Sequence, residues 1–454
     1  PAVFDMFFRR NPFGGGFAVF AGLETLLDNL VHFCFEDDDI AYLQSLGIFE
    51  QGFLDYLRDF RFTGDLYATE EGSIVFPGEP LVRIHAGLIE AQIIEGLVLN
   101  QLNFQSLIAT KSLRICLASK NSHVMEFGLR RAQGFDGAMS ASRAAYIGGA
   151  SSTSNVLAGK IYGIEPTGTM AHSWIMSFAT ELEAFEAYAQ MYPDSTTFLL
   201  DTYDTLKSGI KNAIIVGKKL AEKGHNFSVR LDSGDIQYLS CEVRKELDKA
   251  GLHNVKISVS NELSEEIIET LIAQGSPIDM WGVGTKMVTG GRDSSFTGVY
   301  KLAARHNFSG ENLIPTMKFS DNPAKTTNPG IKNVWRLYDA DGMFKADVLA
   351  LHDEIIEAGK EYRFFHPAVD YRQFSFIPSK VEPLLVKRLA AGKQLREQQS
   401  DPDRLKISRL RIQEQLACLD ISYQRILNPH IYKVSMSEKL KNLKYALIQG
   451  DLPD

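Results

Sequence analysis

The sequence has little cysteine: Cys34, Cys116, Cys241 and Cys418 are the only four among 454 residues. They lie far apart, without the spacing of a zinc site or of a disulfide framework. Thiols in this pattern are typical of a reducing compartment. We therefore expect a cytoplasmic protein that has neither a structural zinc ion nor disulfide bonds.

The sequence also lacks long apolar runs and an excess of positive charge. No stretch approaches the roughly twenty apolar residues that a membrane span needs. The net charge of −8 argues against a nucleic-acid partner, whose phosphates require a basic surface. With 44% hydrophobic and 23% charged residues, the composition predicts a globular protein of two or three domains without a membrane partner.

The chain divides into three predicted parts. Residues 1–108 mix helices with short strands, and turn signals between Gly64 and Ile84 predict a small antiparallel sheet. Residues 109–317 alternate apolar runs with helical patterns, which predicts the α/β class with parallel strands. Residues 318–454 contain a strand near residues 334–338 and a tail, helical from about residue 380, whose Lys and Arg residues predict a solvated face.

Polar clusters follow four of the apolar runs in residues 109–317. They occupy residues 201–204, 230–235, 260–262 and 282–285, at intervals of roughly the length of a βα unit. Repeated βα units form a closed barrel or an open parallel sheet, and in both the carboxyl ends of the strands line the site. We therefore expect these clusters to share one cavity with His172.

His172 lies in the run Gly-Thr-Met-Ala-His-Ser-Trp-Ile-Met-Ser-Phe, residues 168–178. Apolar residues recur from Trp174 to Tyr192 at the spacing of one helix with a buried face. The positive end of such a helix favours a neutral imidazole, which could carry a phosphoryl group. The alternative is a histidine that only caps or packs.

Glycine-rich turns are the candidates for phosphate binding. Gly282-Val283-Gly284-Thr285 follows a predicted strand, and Gly290-Gly291 comes soon after, so both can offer backbone N–H groups. Arg130, Arg131 and Arg143, each near glycines, could form a second anion-binding surface. The motif G-x-x-x-x-G-K-[ST] is absent, so any ATP must bind without a P-loop.

Several long motifs, in the same order along nearly the whole chain, resemble those of nicotinate phosphoribosyltransferase. They occupy residues 126–134, 142–149, 153–159, 168–178, 230–235, 282–289 and 322–330. The resemblance implies an irregular α/β barrel of the type II phosphoribosyltransferase kind with a mixed α+β domain. It also implies homodimers with sites near the interface.

The resemblance further implies an activity. Members of the family join nicotinate to phosphoribosyl pyrophosphate for NAD biosynthesis and couple this step to ATP hydrolysis through a phosphohistidine. Because negative charge builds on the leaving pyrophosphate, we also expect Mg²⁺ at the site. His172 matches that histidine, Thr169 and Arg230 match nicotinate contacts, and Thr285 matches a phosphoribosyl pyrophosphate contact. Further predicted contacts to phosphoribosyl pyrophosphate are Gly284, Gly290, Gly291, Arg130, Arg143 and Ser233.

The chemistry of the residue types agrees with these assignments. The planar guanidinium of Arg230 can grip the nicotinate carboxylate with two hydrogen bonds. Asp232 and Asp235 either bind the metal or the ribose hydroxyls, or they orient Arg230.

Three alternatives stay open from the sequence. A nicotinamide or quinolinate phosphoribosyltransferase would share the fold and the ribosyl donor. A Schiff-base aldolase would need a lysine inside a strand, for which Lys256 is the candidate. A non-catalytic protein that binds a phosphoribosyl ligand is the third.

The sequence begins at Pro1 with the apolar run Ala-Val-Phe-Asp-Met-Phe-Phe. In the family, a segment with a Thr-Asp-Leu-Tyr-like run comes before this point, and its tyrosine reaches nicotinate. We therefore expect roughly twenty to thirty residues before Pro1 in the native protein.

Overall fold

The structure, a computed structural model, describes residues 1–120, 122–307, 312–321, 325–369, 371–395 and 399–450. Two compact units are present. The first comprises Pro1–Leu107, Ser295–Ser400 and Leu410–Asp454, and the second comprises Ile108–Ser294 and Asp401–Arg409. Residues 318–454, which the sequence suggests as a third part, are thus shared between the two units. Among the residues described, no helix is both long and apolar enough to cross a membrane.

The second unit is built on a parallel sheet of seven strands. In sheet order the strands are Glu165–Pro166, Ser152–Thr153, His123–Glu126, Met280–Val283, Lys256–Val259, Phe227–Leu231 and Thr196–Leu199. Its helices are Gly134–Ile147, Val156–Tyr162, His172–Met176, Glu181–Met191, Ile210–Glu222, Ile236–Lys249, Glu265–Ala273 and Thr285–Thr289, with a 3₁₀ turn at Leu129–Arg131 and a π turn at Thr205–Gly209.

The central strands of this sheet are largely apolar because helices connect and cover them. Val229, Leu231, Ile257 and Val259 are buried in the two neighbouring central strands. Since all strands run in the same direction, their carboxyl ends meet at one edge. The predicted α/β class is confirmed, with a parallel sheet that forms half of a barrel.

The single helix predicted from Trp174 to Tyr192 is wrong. The structure has a short helix His172–Met176 and a second helix Glu181–Met191. Thr180 separates them because its side chain accepts a hydrogen bond from the Glu183 N–H at 3.2 Å and so starts the second helix. Apolar periodicity alone could not detect this cap.

The first unit contains two large sheets and one small one. The strands of the first sheet are, in order, Leu313–Pro315, Gly298–His306, Ala2–Phe8, Val82–Ala86, Asp65–Ala68, Val386–Ala390 and Lys393–Gln394. Those of the second are Gln373–Phe376, Tyr362–Phe365, Val434–Met436, Phe344–Leu351, Lys332–Tyr338 and Lys380–Pro383, and Ala18–Val19 pairs with Ile74–Val75.

The helices of the first unit lie mostly near its two ends in sequence. They are Leu23–His32, Asp37–Ser45, Gln51–Arg58, Leu88–Ile93, Ile421–Gln424 and Glu438–Gln449, with a 3₁₀ turn at Pro12–Gly14. Two longer helices, Glu95–Ala118 and Asp401–Cys418, include residues of both units.

Two sequence predictions about the first unit have different outcomes. The antiparallel sheet near residues 64–84 is confirmed, since Asp65–Ala68 pairs antiparallel with Val82–Ala86. The helical tail from residue 380 is wrong, because strands precede the helix Asp401–Cys418. Val386–Ala390 pairs with Asp65–Ala68, so a partner more than 300 residues away in sequence determines its conformation.

His85 in the first unit provides a test of stability against pH. Burial and the nearby charge of Arg83 lower the pKa of His85 to about 4. Because the unfolded chain binds this proton near pH 6.5, the free energy of unfolding should fall as pH drops from about 6.5 to 4. At pH 5 the expected loss is about 1–2 kcal/mol.

Urea unfolding at pH 7 and at pH 5 checks this expectation. His85→Gln should lose less stability between the two pH values than the wild type does. If the free energy of unfolding fell by the same amount in both proteins, titratable groups other than His85 would cause the pH dependence.

Candidate active site

Arg230 is the centre of a polar cluster at the carboxyl edge of the parallel sheet. It donates hydrogen bonds to Thr169 Oγ1 at 2.6 Å, Ser260 Oγ at 2.9 Å and Asp232 Oδ1 at 2.9 Å. Ser260 Oγ in turn donates to Asp232 Oδ1. A guanidinium has five N–H donors, so within the described residues one N–H on each terminal nitrogen is left for a ligand. The cluster therefore presents a fixed pair of donors.

The order of the strands explains how this cluster forms. Asp232 and Ser260 each follow the carboxyl end of one of two neighbouring strands, Phe227–Leu231 and Lys256–Val259. Thr169 follows the edge strand Glu165–Pro166, and its loop reaches Arg230 because the sheet curves. Thr169 and Arg230, both predicted to contact nicotinate, are thus joined by a hydrogen bond.

An aromatic ring lies against the guanidinium. The Cζ atom of Arg230 is 5.7 Å from the centroid of the Phe127 ring. Gly282 makes room for this ring, because a Cβ atom at that position would lie 2.7 Å from it. The site therefore combines an apolar wall with charged donors, an arrangement that suits a flat, anionic molecule.

His172 is the first residue of the helix His172–Met176, and its contacts differ from the prediction. A helix of five residues has only a small dipole, so the dipole argument for a neutral imidazole does not hold. The ring lies beside Asp201 instead, with Nε2 at 3.6 Å from Oδ1. A carboxylate in this place can orient the imidazole.

Asp201 joins His172 to the Arg230 cluster. Its side chain is 3% exposed, and its Oδ2 atom accepts hydrogen bonds from the Asp232 N–H at 3.1 Å and from Ser233 Oγ. Its Oδ1 atom has no hydrogen-bond partner among the described residues. That buried oxygen is therefore directed at the histidine ring.

Three of the candidate phosphate-binding residues line a small cavity of about 120 Å³. Gly284, Thr285 and Arg130 line it together with Arg230. Thr285 Oγ1 donates to Glu262 Oε1 at 3.2 Å. Gly290 and Gly291 follow the helix Thr285–Thr289 with φ of 74° and 65°, a conformation that favours glycine.

Other predicted residues do not line this cavity. His172, Thr169 and Ser233 are among them, so the expectation that His172 shares one cavity with all four polar clusters is wrong, although Asp201 connects it to the Arg230 cluster.

Arg143 is 4% exposed and does not line the cavity either. Asp235 accepts a hydrogen bond from the Tyr238 N–H at 3.1 Å and so caps the helix Ile236–Lys249. Lys256, the candidate Schiff-base lysine, begins its strand at the amino edge and pairs with Asp279 at 2.9 Å. This position removes the geometric basis for an aldolase.

The acidic side chains near Arg230 offer few free ligand atoms for a cation. Within the described ranges, no group of three or more His, Cys, Asp or Glu side chains could hold a metal ion. Asp232 uses Oδ1 for both Arg230 and Ser260, which is the orienting role considered from the sequence. Asp201 and Asp232 could still complete the shell of a Mg²⁺ that arrives with phosphates and water.

A larger cavity, of about 710 Å³, lies in the first unit. Arg9, Arg10, His366 and Lys444 are among its lining residues, and none of the residues predicted for catalysis lines it. Because the chemistry of a site depends on converging functional groups rather than on volume, the smaller cavity is the candidate active site.

Sequence reasoning missed three residues of the site. Asp201 belongs to one of the four polar clusters, so the rule that selected Asp232 could also have selected it. Ser260 begins another of these clusters. Phe127 carried no such signal, because a phenylalanine after an apolar strand is ordinarily part of the core.

Family models match most of the chain. Residues 1–103 match the nicotinate phosphoribosyltransferase N-terminal domain, residues 122–303 the nicotinate phosphoribosyltransferase family, and residues 331–444 the nicotinate phosphoribosyltransferase C-terminal domain. Each stretch lies inside one of the three parts suggested by the sequence.

Individual relatives agree with these matches. The chain is 42% identical over 441 residues to nicotinate phosphoribosyltransferase of Bacillus subtilis, covering 96% of this chain and 88% of that protein. The crystal structure of human nicotinic acid phosphoribosyltransferase superposes with a TM-score of 0.84 at 32% identity, covering 98% of this chain and 95% of that one. A nicotinate-nucleotide pyrophosphorylase from Pyrococcus furiosus has a TM-score of 0.68 at 23% identity and coverage of 92% and 89%, which shows a shared fold.

Proposed function

The chain belongs to the nicotinate phosphoribosyltransferase family, and we propose that it joins nicotinate to phosphoribosyl pyrophosphate, as a step of NAD biosynthesis. The products are nicotinate mononucleotide and pyrophosphate. The observation that carries this proposal is the Arg230 cluster: a fixed guanidinium beside an aromatic ring, at the edge of a cavity lined by Thr285. This arrangement complements a carboxylate on a flat ring.

The transfer step mainly requires positioning. The pyridine nitrogen attacks C1 of the ribose, the bond from C1 to the pyrophosphate oxygen breaks, and pyrophosphate leaves with that electron pair. Because the nitrogen lone pair is already nucleophilic, no base is needed, and fixed orientation lowers the barrier. Arg130, Gly284 and Thr285 would bind the phosphates, and a Mg²⁺ would neutralise charge on the leaving group.

We propose His172 as the residue that couples the reaction to ATP. One imidazole nitrogen attacks the γ-phosphorus, the bond to the bridging oxygen breaks, and ADP leaves. Water later attacks the phosphohistidine and releases phosphate. Asp201, which contacts Nε2 of the ring at 3.6 Å, would hold one nitrogen and leave the other for the phosphoryl group.

Asp201→Asn tests this role of the carboxylate. The asparagine keeps an oxygen acceptor for the Asp232 N–H but removes the negative charge beside His172. We expect nicotinate-dependent ADP release to fall by about 10- to 1000-fold, since a misoriented imidazole is a poor nucleophile. The measurement is steady-state ADP release at saturating substrates.

Asp235→Asn is the matched control for that variant, because Asp235 follows the neighbouring strand Phe227–Leu231 and its carboxylate caps the helix Ile236–Lys249. It should retain ADP release within about threefold. Equal losses in both variants would contradict a specific role for Asp201.

A direct assay tests the function itself. The protein is incubated with ATP, Mg²⁺, phosphoribosyl pyrophosphate and nicotinate, nicotinamide or quinolinate, and the product is identified by mass spectrometry. Nicotinate mononucleotide formed with nicotinate alone supports the proposal. Product from nicotinamide or quinolinate instead would favour an alternative phosphoribosyltransferase, and no product with any acceptor would favour a binding protein.

We further propose that the protein acts in the cytoplasm as a homodimer. The four cysteines are free thiols, which suits a reducing compartment. Phe135, Val156 and Met176 of the second unit are large apolar side chains that are 66%, 69% and 65% exposed, and a second copy could cover them. Light scattering of the purified protein tests the dimer.

A further inference from the structure

We propose that Glu126 is a positioning residue that holds the ring of Phe127 in place as one wall of the nicotinate site. This inference rests on the proposed function and concerns a residue outside the cavity. Glu126 is the last residue of the strand His123–Glu126, and Phe127 follows it directly. Glu126 would act only through its neighbour, since Phe127 lines the cavity and Glu126 does not.

The Glu126 carboxylate is a buried hub that joins three parts of the second unit. The residue is 1% exposed. Oε1 accepts a hydrogen bond from the Gly128 N–H, and Oε2 accepts from Ser142 Oγ at 2.9 Å and Thr153 Oγ1 at 2.6 Å. These donors belong to the turn after Phe127, the helix Gly134–Ile147 and the strand Ser152–Thr153.

These contacts fix the backbone on both sides of Phe127. The Phe127 N–H donates to the Val283 carbonyl at 2.8 Å, and the next N–H, that of Gly128, donates to Glu126. Gly128 also packs so tightly on Val288 that a Cβ atom would lie 2.2 Å from its Cγ1. With its backbone held in this way, the ring remains over Arg230.

Removal of the carboxylate would leave three buried donors without their acceptor. Ser142 Oγ has a second acceptor, the Ala138 carbonyl at 3.0 Å, and Thr153 Oγ1 has a second acceptor in Ser142 Oγ at 3.2 Å. The Gly128 N–H cannot rotate, so the turn itself must move to satisfy it. Because this turn carries Phe127, the ring should be displaced.

Glu126→Ala is the principal test. We expect the KM for nicotinate to rise about tenfold, the size expected for the loss of one aromatic contact. The KM for phosphoribosyl pyrophosphate should change by less than about threefold. Glu126→Gln keeps an acceptor for the Gly128 N–H and should restore the nicotinate KM. If Glu126→Ala does not fold, Glu126→Asp, whose reach is one methylene shorter, serves in the same comparison.

A double-variant cycle separates positioning from general destabilisation. If Glu126 acts through Phe127, its removal should matter little once the Phe127 ring is gone. The nicotinate KM of the double variant Glu126→Ala/Phe127→Ala should therefore be no more than about twofold above that of Phe127→Ala alone. Val124→Ala is the matched control, because Val124 is buried on the same face of the same strand. It should lower stability without changing the nicotinate KM.

Two results would overturn the inference. One is an unchanged nicotinate KM in folded Glu126→Ala or Glu126→Asp. The other is full additivity with Phe127→Ala. Both are measured relative to a wild-type protein that forms nicotinate mononucleotide, so they leave the proposed function intact. If the wild type forms no product, the proposed function itself fails.

Discussion

Replacing His172 by Asn is expected to abolish ATP hydrolysis while leaving slow transfer of the phosphoribosyl group. Asparagine is similar in size but cannot accept a phosphoryl group, so coupling is lost while the Arg230 cluster remains intact. We expect nicotinate-dependent ADP release to fall by about a thousandfold or more. Acid-labile phosphate on the protein, measured with γ-labelled ATP, should disappear.

His225→Asn provides the control for this prediction. His225 also pairs with an aspartate, since its Nδ1 lies 2.7 Å from Asp194 Oδ1, but it belongs to the loop before the strand Phe227–Leu231, at the amino edge of the sheet. This variant should keep both ADP release and labelled phosphate. If the His172 variant still hydrolysed ATP in proportion to product, another residue would have to carry the phosphoryl group.

The parallel sheet and much of its polar edge could be predicted from the sequence because each strand leaves a local signal. An apolar run followed at once by polar residues predicts a buried strand and its carboxyl end, as at Arg230 and Asp232. The contact between Thr169 and Arg230 followed from a resemblance, since their separation of 61 residues leaves no periodic pattern.

What the sequence could not provide depends on contacts between distant segments. The strand Val386–Ala390 looks helical by composition and becomes a strand through pairing with Asp65–Ala68. Likewise, the single helix predicted from Trp174 to Tyr192 is in fact two helices, which Thr180 separates. The side chain beside His172 is that of Asp201, in the loop after the strand Thr196–Leu199, so a local argument from helix dipoles could not identify this contact.

Arg230→Lys is expected to weaken both the binding of nicotinate and the preference for it over nicotinamide. A lysine ammonium cannot contact Thr169, Ser260 and Asp232 and still offer two parallel donors to a carboxylate. The loss of a charge-assisted bidentate contact should cost on the order of 1–3 kcal/mol, or roughly 5- to 150-fold in kcat/KM for nicotinate. Steady-state kinetics with both acceptors measures it.

The ratio of kcat/KM for nicotinate to kcat/KM for nicotinamide identifies the role of Arg230 better than the rate with nicotinate alone. Nicotinamide has no carboxylate, so its kcat/KM should change less, and the ratio of the two values should fall. Arg244→Lys is the matched control, because Arg244 donates to the carbonyls of Val255 at 2.8 Å and Leu252 at 2.7 Å, near the amino end of the strand Lys256–Val259. It should affect stability and leave the ratio unchanged. If Arg230→Lys kept the wild-type kcat/KM for nicotinate, another group would have to bind the carboxylate. The guanidinium of Arg230 would then serve only to hold Asp232 and Thr169 in place.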